Sequence, residues 1–163
     1  MTVSNTGKPR SETEQQQLIT AITDMFEKHI TFNGFLGFRI GLLDTEKVVI
    51  RLPMRSELIG HYLHGRLHGG VISSVLDAAG GLAVMWKLAE YYPDESVMQI
   101  MERFRYLGTI DLRIDYLRQG IGEEFFAEAE VVRLGRRIAV IRMRLLNEKE
   151  VLIATGNGNY IVS

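Results

Sequence analysis

The chain has 163 residues, 46% of them apolar and 24% charged, which suits one domain able to bury its own core. It contains no cysteine, so disulfides, thiolate–zinc sites, iron–sulfur clusters and a cysteine nucleophile are excluded, and a reducing, cytoplasmic setting is expected. The formal net charge is −1, from 19 basic and 20 acidic residues, and no basic stripe points to nucleic acid.

Residues 1–10 (MTVSNTGKPR) are polar and lack the apolar run of a secretory signal; they are expected to be a disordered tail before one domain over 11–163. Ser11 followed by Glu14 has the pattern of a capping box. Leu18, Ile19, Ile22, Met25, Phe26 and Ile30 then recur at helical spacing, predicting an amphipathic helix over roughly 11–30 that Asn33-Gly34 breaks. Phe38–Leu43 and Val48–Leu52 read as strands joined by a turn at Asp44–Lys47. Ser56–Gly70, rich in glycine and histidine, reads as a loop.

Gly69–Trp86 is nearly uncharged and long enough to raise a membrane span. Asp77 at its centre, which costs ~2.5–3.5 kcal/mol on insertion scales, together with four glycines and two serines, favours a buried helix of a soluble domain. Glycine inside a helix costs about 1 kcal/mol relative to alanine, so Gly80-Gly81 implies a need for close approach. Tyr91-Tyr92-Pro93 ends this helix, and Val97, Ile100, Met101 and Phe104 keep helical spacing in a second short one. Ile110, Leu112, Ile114 and Tyr116 alternate along a strand. Phe125–Leu134, Ile138–Leu146 and Val151–Val162 then form a meander of long strands. The order defines an α+β fold, one curved antiparallel sheet around one long helix.

Three sets of residues invite chemistry. His61, His64 and His68 fall within eight residues, but Gly60 and Gly65 break any helix that would align them, and no H-E-x-x-H occurs; hydrogen-bonding loop histidines are favoured over a metal site. Asp77, alone on a buried helix, is either functional or a paired structural carboxylate. Gly69-Gly70 at the start of that helix either exposes backbone N–H groups to an oxyanion or only turns the chain. His68 and Asp77 are nine residues apart, ~13.5 Å along a helix and ~900° around it, hence on opposite sides. They can meet only across a two-fold interface.

His68-Gly69-Gly70-Val71-Ile72-Ser73-Ser74-Val75-Leu76-Asp77 resembles the HGG…D signature of the PaaI-like hot-dog-fold acyl-CoA thioesterases, and within them the medium- and long-chain enzymes. Gly108–Arg118 (GTIDLRIDYLR) resembles the strand that follows in that family, and the similarity runs from about Leu18 to Val162. The resemblance implies a homodimer or homotetramer with an active site shared between subunits. It implies that Gly69 supplies the N–H that polarises the thioester carbonyl, with His68 orienting that site. Asp77 of the facing subunit is implied as general base or nucleophile, and Thr109 as a holder of the attacking water. Where relatives carry an asparagine six or seven residues before the HGG histidine, this chain has Tyr62 and His61, and His61 can donate a hydrogen bond in its place.

Gly70 beside the carbonyl site, Arg118, and the Gly135-Arg136-Arg137 turn are substrate-binding candidates, the arginines for coenzyme A phosphates; solvated surface arginines are the plainer alternative. Residues 93–107 are expected to form a mobile cover over an acyl tunnel lined by Met98, Met101 and Phe104. Thioester hydrolysis by a base, a water and an oxyanion donor calls for no cofactor and no metal. The alternatives are a non-catalytic acyl-CoA-binding module, a thioesterase for an aromatic acyl-CoA, and a hot-dog hydratase, whose longer motif is not seen.

Overall fold

A computed structural model describes residues 8–163, so the tail expected at 1–10 lies outside the described residues except for its last three. Arg10 is anchored: its backbone N–H donates to Pro93 O at 2.7 Å, and its guanidinium reaches the carbonyls of Tyr92 and Glu95 at 2.7 and 2.8 Å and that of Ala89. Helix α1 (Glu12–Asp24) starts in the capping box read from sequence, with Ser11 N–H donating to Glu14 Oε2 at 2.8 Å.

Helix α1 runs into one π-helical turn at Met25–His29, and Ile30 in extended conformation ends it. Helix α2 (Thr31–Leu36) follows, so Asn33-Gly34 lies inside a helix rather than breaking one. The Asn33 amide is buried and donates to Phe26 O at 3.1 Å, closing the π turn, and Gly37 at φ 80° makes the stop instead.

Strands β1 (Arg39–Leu43) and β2 (Val48–Pro53) form a hairpin. The segment read as a loop contains a short ladder, β3 (Ile59–His61) with β4 (Arg66–Leu67). Helix α3 (Gly69–Tyr91) is the long buried helix. Strands β5 (Gly108–Tyr116), β6 (Glu124–Leu134), β7 (Ile138–Asn147) and β8 (Leu152–Ile161) complete an antiparallel sheet of order β1-β2-β6-β7-β8-β5.

Helix α3 packs across one face of that sheet, and the alternation along the strands supplies its bed. Ala127 and Ala129 on β6, Ala139, Ile141 and Met143 on β7, and Ala154, Gly156, Gly158 and Tyr160 on β8 are buried beneath it. Leu82–Trp86 are buried all round, whereas Gly70, Ser73, Ser74, Asp77 and Gly81 leave the amino-terminal half partly open. Gly69–Tyr91 is the one described helix long and apolar enough to cross a membrane, and it is the core helix of this sheet.

Residues 93–107 are docked rather than a loose cover. Helix α4 (Val97–Arg103) has its own capping box, Ser96 with Gln99, and packs against α1 with Ile100 fully buried, a contact worth ~1.5–3 kcal/mol. Met98 points to solvent, 79% exposed.

Candidate active site

The amino terminus of α3 is assembled by short-range constraints. His68 N–H donates to Leu58 O at 2.8 Å and Leu67 N–H to Gly120 O at 2.8 Å, so β4 delivers the helix start against neighbouring segments. Gly60 permits this crossing, because a Cβ there would lie 2.6 Å from His68 Cα. His68 is the N-cap: its Nδ1 accepts the Gly70 N–H at 2.9 Å, so that nitrogen is unprotonated in this geometry. The His68 carbonyl takes the N–H groups of Val71 and Ile72. Gly69 N–H alone in this first turn has no acceptor among the described residues, and Tyr116 Oη donates to the Gly69 carbonyl at 3.0 Å.

The second group of residues lies two turns further along. Thr109 Oγ1 donates to Asp77 Oδ1 at 2.8 Å, and the Tyr160 hydroxyl lies 3.1 Å from the same oxygen and 3.0 Å from the Asp77 carbonyl. Burial, and next the Asp77 carboxylate beside it, push the Tyr160 phenol far up, so it stays protonated as a donor. Asp77 is therefore paired by two hydroxyls.

Simple alternation along β5 would put Thr109 on the face opposite Leu112 and Ile114. A β-bulge at Ile110 reverses the parity, since Thr109 faces Tyr160 while Asp111 faces Asn159 in the β5–β8 register. Thr109 thereby joins Leu112, Ile114 and Tyr116 on the helix side, and Ile110 is left 51% exposed. Sequence reasoning missed Tyr160 and Tyr116; the helical Gly80 was the local mark of Tyr160, because a Cβ there would lie 2.2 Å from its hydroxyl.

Gly69 and Asp77 both face β5, one near its Tyr116 end and one near its Thr109 end. The two are thus separated along the strand and the helix axis, ~12 Å over eight helical residues. One chain cannot bring both to a single carbonyl group.

The other candidates distribute between these two ends. His61, in β3, stacks on His64 with ring centroids 4.8 Å apart and on Tyr62 at 5.9 Å, near the α3 start and away from Asp77. Its Nδ1 is buried without a partner among the described residues. No group of three His, Cys, Asp or Glu side chains is placed for a metal among those residues. Arg118 donates to Leu152 O at 3.0 Å at the Tyr116 end. Gly135, Arg136 and Arg137 form the β6–β7 turn at the opposite end of β8, where Arg137 O accepts from Val162 N–H at 2.9 Å. With Arg133, Arg136 and Arg137 line a depression of about 720 Å³. The arginines named together from sequence therefore sit ~30 Å apart, at the two ends of a ten-residue strand.

A long helix laid across a six-stranded antiparallel sheet, with a bare N–H at its start and a hydroxyl-held carboxylate two turns further along, is the hot-dog fold. The thioesterase superfamily model matches residues 64–154, and the chain belongs to that family. It is 35% identical over 147 residues to the medium/long-chain acyl-CoA thioesterase YigI of Escherichia coli K12, covering 90% of this chain and 95% of that one. A crystal structure from Shewanella oneidensis, described as related to the thioesterase superfamily, superposes with a TM-score of 0.87 at 38% identity over 94% of this chain and all of that one. The E. coli PaaI protein of the phenylacetic acid degradation operon shares the fold, with a TM-score of 0.70 at 20% identity over 93% and 94% of the two chains.

Proposed function

We propose that the protein is a cytoplasmic acyl-CoA thioesterase that hydrolyses medium- and long-chain acyl-CoA to the free acid and coenzyme A at a site built from two subunits. The observation that carries this reading is the placement of an unbonded Gly69 N–H and a hydroxyl-held Asp77 at the two ends of one edge strand. Antiparallel pairing of β5 with β5 of a second copy, about a two-fold axis near Leu112 and Arg113, brings the Thr109 end of one chain to the Tyr116 end of the other. The same pairing covers Ile110, Tyr116 and Leu117, each about half exposed in the single chain, and the open amino-terminal half of α3.

In that arrangement the thioester carbonyl oxygen takes a hydrogen bond from Gly69 N–H, reinforced by the positive end of the α3 dipole. Asp77 of the partner subunit removes a proton from water. The water oxygen bonds to the acyl carbon, the C–S bond breaks, and the sulfur leaves with its electron pair and takes the proton back from Asp77, giving the coenzyme A thiol and restoring the carboxylate. Thr109 points its hydroxyl hydrogen at Asp77, so its oxygen lone pairs are free to accept a hydrogen bond from that water. His68 keeps the first turn closed while leaving Gly69 open. Gly70 N–H is occupied by His68, so its contribution to the substrate is its small size. His61 stays beside the carbonyl half-site, and the arginines at the two ends of β8 become two candidate phosphate contacts of one shared site.

Thiol release from a panel of acyl-CoA esters tests the proposal, and the absence of cysteine leaves the protein silent towards thiol reagents. Release that is fastest with medium or long chains supports it. Exclusive use of an aromatic ester contradicts the chain-length assignment, and no release from any ester contradicts the enzyme assignment in favour of a binding module.

A further inference from the structure

We infer that Tyr160 is a positioning residue for Asp77: with Thr109 it holds Oδ1, so that Oδ2 is the oxygen that takes the proton from the attacking water. The inference rests on the thioesterase reading of the site and adds to it a residue and an atom.

The two oxygens of a free carboxylate are equivalent, and its terminal torsion is broad. Here they differ. Both donors, Thr109 Oγ1 at 2.8 Å and Tyr160 Oη at 3.1 Å, converge on Oδ1, while Oδ2 has no donor among the described residues. They come from two strands, β5 and β8, so rotation of the carboxylate breaks two bonds at once. Tyr160 also reaches the Asp77 carbonyl at 3.0 Å, which fixes the phenol relative to the helix backbone as well as to the side chain.

This arrangement is expensive in sequence terms, which argues that it is not incidental. Tyr160 is 1% exposed, and its hydroxyl passes over α3 only because residue 80 lacks a Cβ, although glycine in a helix costs about 1 kcal/mol. A phenylalanine would fill the same volume without a polar group to satisfy. Tyr160 does not compete as a base, since burial keeps it protonated. The ionisable group facing Asp77 is Tyr160 from β8; Asp111 of β5 lies on the other face of the sheet, where Asn159 donates to its two oxygens at 3.0 and 2.8 Å, and it acts on Tyr160 only through its charge. The nearby α3 residues Ser73, Ser74 and Gly81 carry no charge.

Tyr160→Phe keeps the ring and removes the donor. Thiol release from acyl-CoA, followed against pH for wild type, Asp77→Asn, Tyr160→Phe and Thr109→Val, reads the consequence. Tyr160→Phe should lower kcat roughly tenfold with KM nearly unchanged. It should also move the acid limb of kcat/KM upward, because losing a donor to a carboxylate favours its protonated form. Thr109→Val should act in the same direction, with Thr109→Ser restoring activity. Should Tyr160→Phe not fold, 3-fluorotyrosine at position 160, a more acidic donor of almost the same shape, should move the acid limb downward. An active wild type, an inactive Asp77→Asn and position-160 variants with an unmoved profile and kcat would overturn the inference and leave the thioesterase reading intact. A wild type that releases no thiol would overturn that reading and the inference with it.

Discussion

Thr109 and Tyr116 stand at the two ends of one edge strand, and each ties a different part of the central helix to it: Thr109 the Asp77 carboxylate at 2.8 Å, Tyr116 the Gly69 carbonyl at 3.0 Å. The strand thus fixes two half-sites at a set distance, and its outer edge is unpaired in the single chain. Each half-site can be removed separately, which makes the account testable piece by piece.

Gly69→Pro deletes one N–H and little else. Residue 69 is the first residue of α3, where proline is well accommodated, and His68 before it is extended at ψ 137°. A Cβ at Gly69 meets only the Tyr116 ring at 3.6 Å, an ordinary contact. The melting temperature should stay near that of the wild type, while kcat falls about 10²–10³-fold, the usual effect of losing an oxyanion donor. Measuring both on one preparation separates a catalytic N–H from a turn glycine.

Gly80→Ala should behave in the opposite way to an ordinary helix substitution. Alanine normally stabilises a helix interior by about 1 kcal/mol relative to glycine. Here the added methyl would lie 2.2 Å from the Tyr160 hydroxyl and 2.6 Å from Cζ, so the ring must shift out of a packed core. Thermal unfolding should show a loss of ~1–3 kcal/mol, where Gly81→Ala, which meets nothing within 4 Å in the single chain, should not destabilise the isolated fold.

Glu128 offers a pH-dependent test of the sheet. It lies 2.5 Å from both Lys47 Nζ and Arg144 Nη2. Partial burial raises its pKa, and the two cationic donors outweigh that and hold it below the ordinary 4.5. Its stabilising effect is therefore complete above the unfolded value and is lost as pH falls through the folded one. Glu128→Gln should cost about 1 kcal/mol at neutral pH, and the difference from wild type should vanish in acid. A difference that persists in acid would assign the loss to packing.

Much of the fold is local and could be read along the chain: the Ser11–Glu14 capping box, the apolar α3 and the strand meander each carry their own pattern. His68, Gly69 and Asp77 stand out from their chemistry and spacing, and the resemblance adds Thr109 as a candidate. What escaped depends on contacts distant in sequence. The Asn33 amide turns a helix-breaking pair into part of a helix by reaching Phe26, and Arg10 leaves the tail by capping the end of α3. The bulge at Ile110 carries no mark in a strand that alternates evenly, yet it decides which face Thr109 occupies. Tyr160 lies 83 residues from Asp77, and only the glycine it crosses hinted at it.

The central claim is that each active site takes Gly69 from one subunit and Asp77 from the other, and mixing two inactive variants tests it most directly. Gly69→Pro and Asp77→Asn are each expected to be nearly inactive alone, the second by about 10²–10⁴-fold. When the two are unfolded together and refolded as mixed dimers, one site in each heterodimer regains an intact Gly69 and an intact Asp77. Thiol release should then recover to about a quarter of the wild-type rate, since half of the dimers are mixed and each has one working site of two. A refolded mixture no more active than the separate variants, with heterodimers present, would place both residues' work within one chain and contradict the shared site.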